Sequence, residues 1–129
     1  MSENFSVEII SPGKSVLKSS ASEVTIPSYE GQMGILKNHI PLITFLRPGL
    51  IKIQGDNKKE IFFVEDGIVE FSEDILLILT STAKNFDSLD NASIQEIIKN
   101  SEKKLSQPDI TDKDRYLLNY KIDTLKNIN

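Results

Sequence analysis

The chain changes its hydrophobic period once, near Asn85, and that change limits what it can fold into. Before it, apolar residues come in short runs broken by turn residues. After it, they return at helical spacing. A period of two marks strands with one buried face, and a period of 3.6 marks helices with one buried stripe. The chain must therefore build a β body first and a helical appendage second.

In the first part, Phe5, Val7 and Ile9 alternate with polar residues until Pro12-Gly13 breaks the run. Val16-Leu17 gives a second strand, Val24 and Ile26 a third that ends at Pro27, and Ile35-Leu36 a fourth after the glycine-bearing stretch Gly31 to Gly34. Leu42 to Leu46 runs into Arg47-Pro48-Gly49, where proline and glycine suit the central positions of a type II turn. Leu50, Ile51 and Ile53 lead to Gly55-Asp56-Asn57, answered by Ile61 to Val64. Asp66-Gly67 turns into Ile68 to Phe71, and Ser72-Glu73-Asp74 into the longest apolar run, Ile75 to Leu79, read as a buried strand. Short strands at this spacing predict an all-β sandwich or barrel.

The second part lacks glycine. Ile94, Ile97, Ile98 and Leu105 mark one face of a helix that starts among Asp87, Ser88, Asp90 and Asn91 and stops at Ser106-Gln107-Pro108. Thr111 with Asp114 resembles a capping box for a second helix, whose face carries Leu117, Leu118, Ile122, Leu125 and Ile128. The short link predicts an antiparallel hairpin that must lean on the β body or on another protein. Tyr116 and Tyr120, one turn apart, are expected to close the hairpin's own interface; stacking on a ligand is the alternative.

Composition then removes chemistries. With 129 residues and a 39% hydrophobic share, one real core is affordable. The absence of cysteine excludes disulfides, thiolate catalysis and cysteine metal sites, and a single histidine excludes a multi-histidine centre in one chain. A net charge of −4, with lysines interspersed among acids, argues against nucleic-acid binding. The start, MSENFSVEII, has no basic segment followed by an apolar one, and no run reaches the roughly 18 apolar residues of a membrane span. A cytoplasmic protein is expected, with any membrane association coming through partners.

The most loaded stretch runs from Tyr29 to Pro41 and holds the lone His39, Glu30, Gln32 and two glycines. Glu30 and His39 could form a base with its orienting acid, and the glycines a phosphate loop, but no Lys-Ser/Thr follows and no G-x-G-x-x-G occurs. The plainer reading is that the glycines serve positive φ in a bent strand and that His39 makes a local hydrogen bond. The carboxylate pairs Asp56 with Glu60, Glu65 with Asp66 and Glu73 with Asp74 all sit at turns, where acids bond locally or are solvated.

Residues 31–41 also read G-x-x-G-hydrophobic-L-x-x-H-x-P, followed by Arg47-Pro48-Gly49-Leu50-Ile51-Lys52-Ile53, Phe63-Val64 and Gly67-Ile68-Val69-Glu70-Phe71. With the opening Val7 to Pro12 and the terminal hairpin, this resembles the epsilon subunit of bacterial rotary F-type ATP synthase, the counterpart of the mitochondrial delta subunit, over nearly the whole chain.

The resemblance implies a flattened β-sandwich, residues 1–84, and an antiparallel two-helix hairpin, residues 85–129. It implies a non-catalytic central-stalk subunit of a proton-translocating synthase. Such a subunit grips the gamma subunit, sits on the membrane rotor ring, and couples ion flow to ATP synthesis at the cytoplasmic face of the inner membrane. The ring-docking residues carried over are Glu30, Gly31, Gln32, Gly34 and His39, with Gln32 standing where many relatives have an acid. Some relatives bind ATP through I/L-D-x-x-R-A; here Leu89 and Asp90 match, but Ser93 stands for the arginine and Ile94 for the alanine. Without that planar cationic fork, weak or absent ATP binding is expected, and no cofactor. In relatives the hairpin can reach the alpha and beta subunits of the catalytic head and block hydrolysis; Lys113, Arg115, Lys121 and Lys126 are the basic residues for that contact.

Two other readings compete: a free-standing ligand-binding β-sandwich with a regulatory helical tail, and a small hydrolase using Glu30 and His39.

Overall fold

The computed structural model describes residues 3–127, so Ile128, assigned above to the last helical face, lies outside the described residues. Among these residues there are ten strands: β1 (Phe5–Ser11), β2 (Lys14–Ala21), β3 (Glu23–Ser28), β4 (Gly31–Leu36), β5 (Leu42–Leu46), β6 (Gly49–Gly55), β7 (Lys58–Val64), β8 (Gly67–Ser72), β9 (Ile75–Leu79) and β10 (Ala83–Asn85). A single 3-10 turn (Phe86–Ser88) leads to helices α1 (Asn91–Leu105) and α2 (Asp112–Lys126). This is the β-sandwich plus helical hairpin expected above.

The strand order β10-β7-β6-β3-β5-β8-β9-β1-β2, with β4 on the other edge of β3, makes two layers joined through β3. Glu23–Thr25 pair with β6, whereas Ser28 pairs with Leu46 of β5, so β3 crosses from one layer to the other. The pairs are antiparallel except β1 with β9, which run parallel from Ser6↔Ile75 to Ile10↔Leu79. Between the layers Val7, Ile9, Ile26, Phe62, Phe71 and Ile78 are buried, as alternation predicts.

β7 is buried on both faces. Phe62 and Val64 point into the sandwich core, while Phe63, opposite Leu50 of β6, faces a second core made with Ile94 and Ile98 of α1 and Ile122 and Leu125 of α2. The hairpin thus folds against the outer face of β6 and β7. Asp90 caps α1 by accepting from Ser93 N at 2.7 Å, and Thr111 caps α2 by accepting from Asp114 N at 3.1 Å. Ser106 ends α1.

Two expectations change. Gly49 does not take the positive φ of a type II turn; it opens β6, and a Cβ there would stand 2.5 Å from Pro27 Cβ. Glycine is required by that close approach of two strands. The run Ile75 to Leu79 is not uniformly buried: Leu76 and Ile78 face the core, and Ile75 and Leu79 face outward exposed.

Candidate functional site

The stretch from Tyr29 to Pro41 is divided by β4. Glu30 lies in the turn between β3 and β4, where Ser28 Oγ accepts from Glu30 N at 3.2 Å and donates to Gly31 O at 2.8 Å. Gly31, at φ 120°, makes the sharp entry into β4 that a side chain would resist. Gln32, opposite Pro27, and Gly34, opposite Thr25, are exposed in the strand, and Gly34 takes ordinary backbone angles. His39 lies beyond the far end, with roughly 16 Å of strand between it and Glu30. That separation removes the Glu30–His39 pair as a base and orienter. The ring of His39 donates from Nδ1 to Ile40 O at 2.7 Å and stands edge-on to Phe71 with centroids 6.0 Å apart, so it holds the β4–β5 link in place.

The carboxylate pairs are taken up as structural partners, and mostly not by turn neighbours as expected: Asp74 accepts from Asn38 N at 2.7 Å, across 36 residues. Asp56 accepts from Asn4, Glu60 meets Lys58 at 3.5 Å, and Asp66 accepts from Ser81 N at 2.9 Å and from the Ser81 and Thr80 hydroxyls. Among the described residues, no three His, Asp or Glu side chains gather as a metal site.

A different surface stands out. Across β5, β8, β9 and β1, the directly paired outward residues are Phe45↔Ile68, Ile68↔Leu79 and Leu79↔Ile10. Phe45 is 57% exposed, Ile68 44% and Leu79 43%. They line an open groove with Tyr29 and Ser11. Ser11 is buried, and its hydroxyl finds no hydrogen-bond partner among the described residues. Burying a hydroxyl without a partner costs about 1–3 kcal/mol, but Ser11 shares the inward parity of Val7 and Ile9, so what leaves this outer face uncovered is its apolar side chains. Sequence reasoning missed it; the signal lay in the unbroken apolar run of β9, which marks a strand meant to be covered on both faces.

The hairpin residues find several local roles. Leu89 packs against the second core, and the Asp90 carboxylate is held below its ordinary 3.8, chiefly by the hydrogen bond from Ser93 N and then by the Ser93 side chain. Lys121 Nζ reaches Glu65 of the sandwich at 2.7 Å, and Lys126 reaches Glu102 of α1 at 3.4 Å. Lys113 and Arg115 are exposed near the start of α2. The tyrosines do not close the hairpin's own interface. Tyr116 stacks on Tyr29 of the sandwich with centroids 6.1 Å apart, and Arg47 lies 3.9 Å over the Tyr120 ring while donating to Tyr116 Oη at 3.3 Å. Tyrosine's polar tip and flat face let it bridge to a sheet corner as readily as to a neighbouring helix.

No helix of the described residues is long and apolar enough to cross a membrane. The family model for the beta-sandwich domain of the ATP synthase delta/epsilon chain matches residues 4–86. The ATP synthase epsilon chain of Pelagibacter ubique (strain HTCC1062) is 46% identical over 130 residues, covering 100% of both chains. That of Dichelobacter nodosus is 34% identical over 110 residues, covering 84% of this chain and 77% of the relative. A chain in the cryo-EM structure of the Euglena gracilis mitochondrial ATP synthase superposes with a TM-score of 0.79 at 18% identity, covering 99% of this chain and 81% of that one, and so shares the fold. A sandwich with an exposed apolar outer face, a helical hairpin laid against its other side, a family model over residues 4–86 and a relative 46% identical over its full length agree: the chain belongs to the ATP synthase delta/epsilon chain family.

Proposed function

We propose that this chain is a non-catalytic central-stalk subunit that joins a gamma subunit to a membrane rotor ring, so that torque from proton flow reaches the catalytic head. One observation carries the reading: the outer face of β5, β8, β9 and β1 is apolar and exposed at Phe45, Ile68 and Leu79, which is the surface of a subunit rather than of a free protein. The gamma subunit is the partner assigned to it. The exposed turn carrying Glu30, with Gln32 at the start of β4, is the edge assigned to the polar loops of the ring. His39, at the other end of β4, serves to hold the chain in shape. Membrane association then comes entirely through these partners, on the cytoplasmic face.

A part in restraining ATP hydrolysis would require the hairpin to leave β6 and β7. In the folded arrangement Lys121 and Lys126 are engaged with Glu65 and Glu102, so Lys113 and Arg115 are the cations offered first to an acidic surface on the alpha and beta subunits. ATP has no evident role, since Asp90 is occupied as a cap and Ser93 supplies its hydrogen bond.

The test is co-purification of the complex with the full chain carrying Phe45→Glu and Ile68→Glu. Both positions are exposed, so the fold tolerates the charges, and the variant should elute as a free monomer while the unmodified chain travels with gamma and the head. Unaltered co-elution of the variant would rule the face out. A wild-type chain that never joins the complex would favour the free-standing ligand-binding sandwich instead.

A further inference from the structure

Tyr29 belongs to two surfaces at once. It lines the groove with Phe45, Ile68 and Leu79, and its ring lies nearly parallel to that of Tyr116 on α2, 8° between planes. From Tyr116 the contact continues to Tyr120, 4.8 Å away and edge-on, and from Tyr120 to the Arg47 guanidinium. The two sandwich members of this stack sit on one corner: Tyr29 N donates to Phe45 O at 3.1 Å, and Arg47 N donates to Pro27 O at 3.0 Å. The corner therefore shows Phe45 to the groove and Arg47 to the hairpin, with Tyr29 touching both.

We propose that the stack Tyr29–Tyr116–Tyr120–Arg47 couples the two surfaces, so that a partner covering the apolar groove tightens the seat of α2 on the sandwich. This rests on the reading of the groove as the gamma-binding face. Tyr29 is 42% exposed and Tyr116 38%, and their 6.1 Å separation lies toward the loose end of ring stacking, so the contact has room to tighten. A partner packed on the groove side restricts Tyr29 and excludes water from its edge. Tyr116 then docks on a ring already ordered, and part of the entropic cost of seating α2 has been met by the partner. By linkage the effect is reciprocal: a well-seated α2 orders Tyr29 and strengthens partner binding by the same factor. The apolar contacts of α1 and α2 with β6 and β7 hold the hairpin whether or not the groove is filled. The stack joins that seat to the corner that borders the groove, while the Lys121–Glu65 ion pair ties α2 to the sandwich without touching a groove-lining ring.

Amide exchange over residues 112–126 of the full chain, with and without saturating gamma subunit, reads the coupling directly. Gamma should slow exchange there about threefold in the unmodified chain, the effect of ordering one aromatic pair. In Tyr29→Leu, which keeps an apolar side chain in the groove but no stacking ring, gamma at saturation should leave α2 exchange unchanged. Tyr116→Ala should weaken gamma binding by the same factor of about three, as reciprocity demands. Equal slowing in Tyr29→Leu would mean that gamma touches α2 itself, and no slowing in the unmodified chain with gamma bound would mean that the surfaces are independent. Either result overturns the coupling, as does unchanged affinity in Tyr116→Ala. Failure of gamma to bind the unmodified chain at all would overturn the stalk reading, and the coupling with it.

Discussion

Phe63→Ala should detach the hairpin and leave the sandwich folded. Phe63 is 1% exposed and belongs to the second core, with Ile94, Ile98, Ile122 and Leu125, whereas its neighbour Phe62 belongs to the first. Truncating a buried phenylalanine costs about 3–5 kcal/mol. Full burial of the four aliphatic side chains opposite it is worth roughly 6–12 kcal/mol in all, before the cost of ordering the hairpin is subtracted. The substitution therefore removes between a quarter and most of what holds the helices down. Since each 1.4 kcal/mol is a factor of ten, amide protection over α1 and α2 should fall by about two to three and a half orders of magnitude. Native-state hydrogen exchange measures this residue by residue, and amides at Val7, Phe71 and Leu76 should keep their protection. Phe62→Ala is the matched control, lowering protection in the sandwich. Parallel loss in both parts of the Phe63 variant, or undiminished protection in α2, would refute the division into two cores.

Three further outcomes are expected. Gly49→Ala places a methyl 2.5 Å from Pro27 Cβ, on two backbones that cannot slide apart, and should lower stability in urea unfolding by about 1–3 kcal/mol. Glu73 and Asp74 hold φ of 51° and 58°, the pattern of a type I′ turn made without its usual Asn-Gly, so Glu73→Asn should raise the melting temperature by about 2–5 °C; an unchanged or lower value counts against a strained turn. The Asp90 carboxyl is held below its ordinary 3.8, so its contribution to α1 is complete above that value and is lost as pH falls through the lower folded-state value. Acidification should release the Ser93 amide first in the unmodified chain and leave Asp90→Asn, whose cap carries no charge, without that step; identical acid profiles by exchange or NMR would contradict it.

Much of this fold was legible because local rules and tertiary packing agree in it. Alternation at Phe5, Val7 and Ile9, the turn residues at Gly55-Asp56-Asn57, and the caps Asp90 and Thr111 each act through neighbours within a few residues, and each appears where the sequence puts it. The failures all involve partners distant in the chain. Pro48-Gly49 has the grammar of a turn, yet Gly49 is selected by Pro27, which no local window contains. β10 carries one apolar residue in three and exists because the free edge of β7 captures it. Helical spacing assigned Tyr116 and Tyr120 to a flank of α2 but could not say that Arg47 and Tyr29 wait beside that flank. The groove face was hidden for another reason: apolar residues on a strand look the same whether their cover belongs to this chain or to another.

The parallel pairing of β1 with β9 has a kinetic consequence. Ser6 meets Ile75 across roughly 70 residues, so the first strand made is among the last to find its neighbour. During synthesis β1 and β2 can form a hairpin early, but one edge of β1 stays open until β9 has left the ribosome. Closure of the sandwich is therefore set by the slow, nonlocal step, and the terminal helices can settle only after β6 and β7 offer them a finished surface. The hairpin, whose core includes Phe63 of β7, can be seated only once that strand is paired.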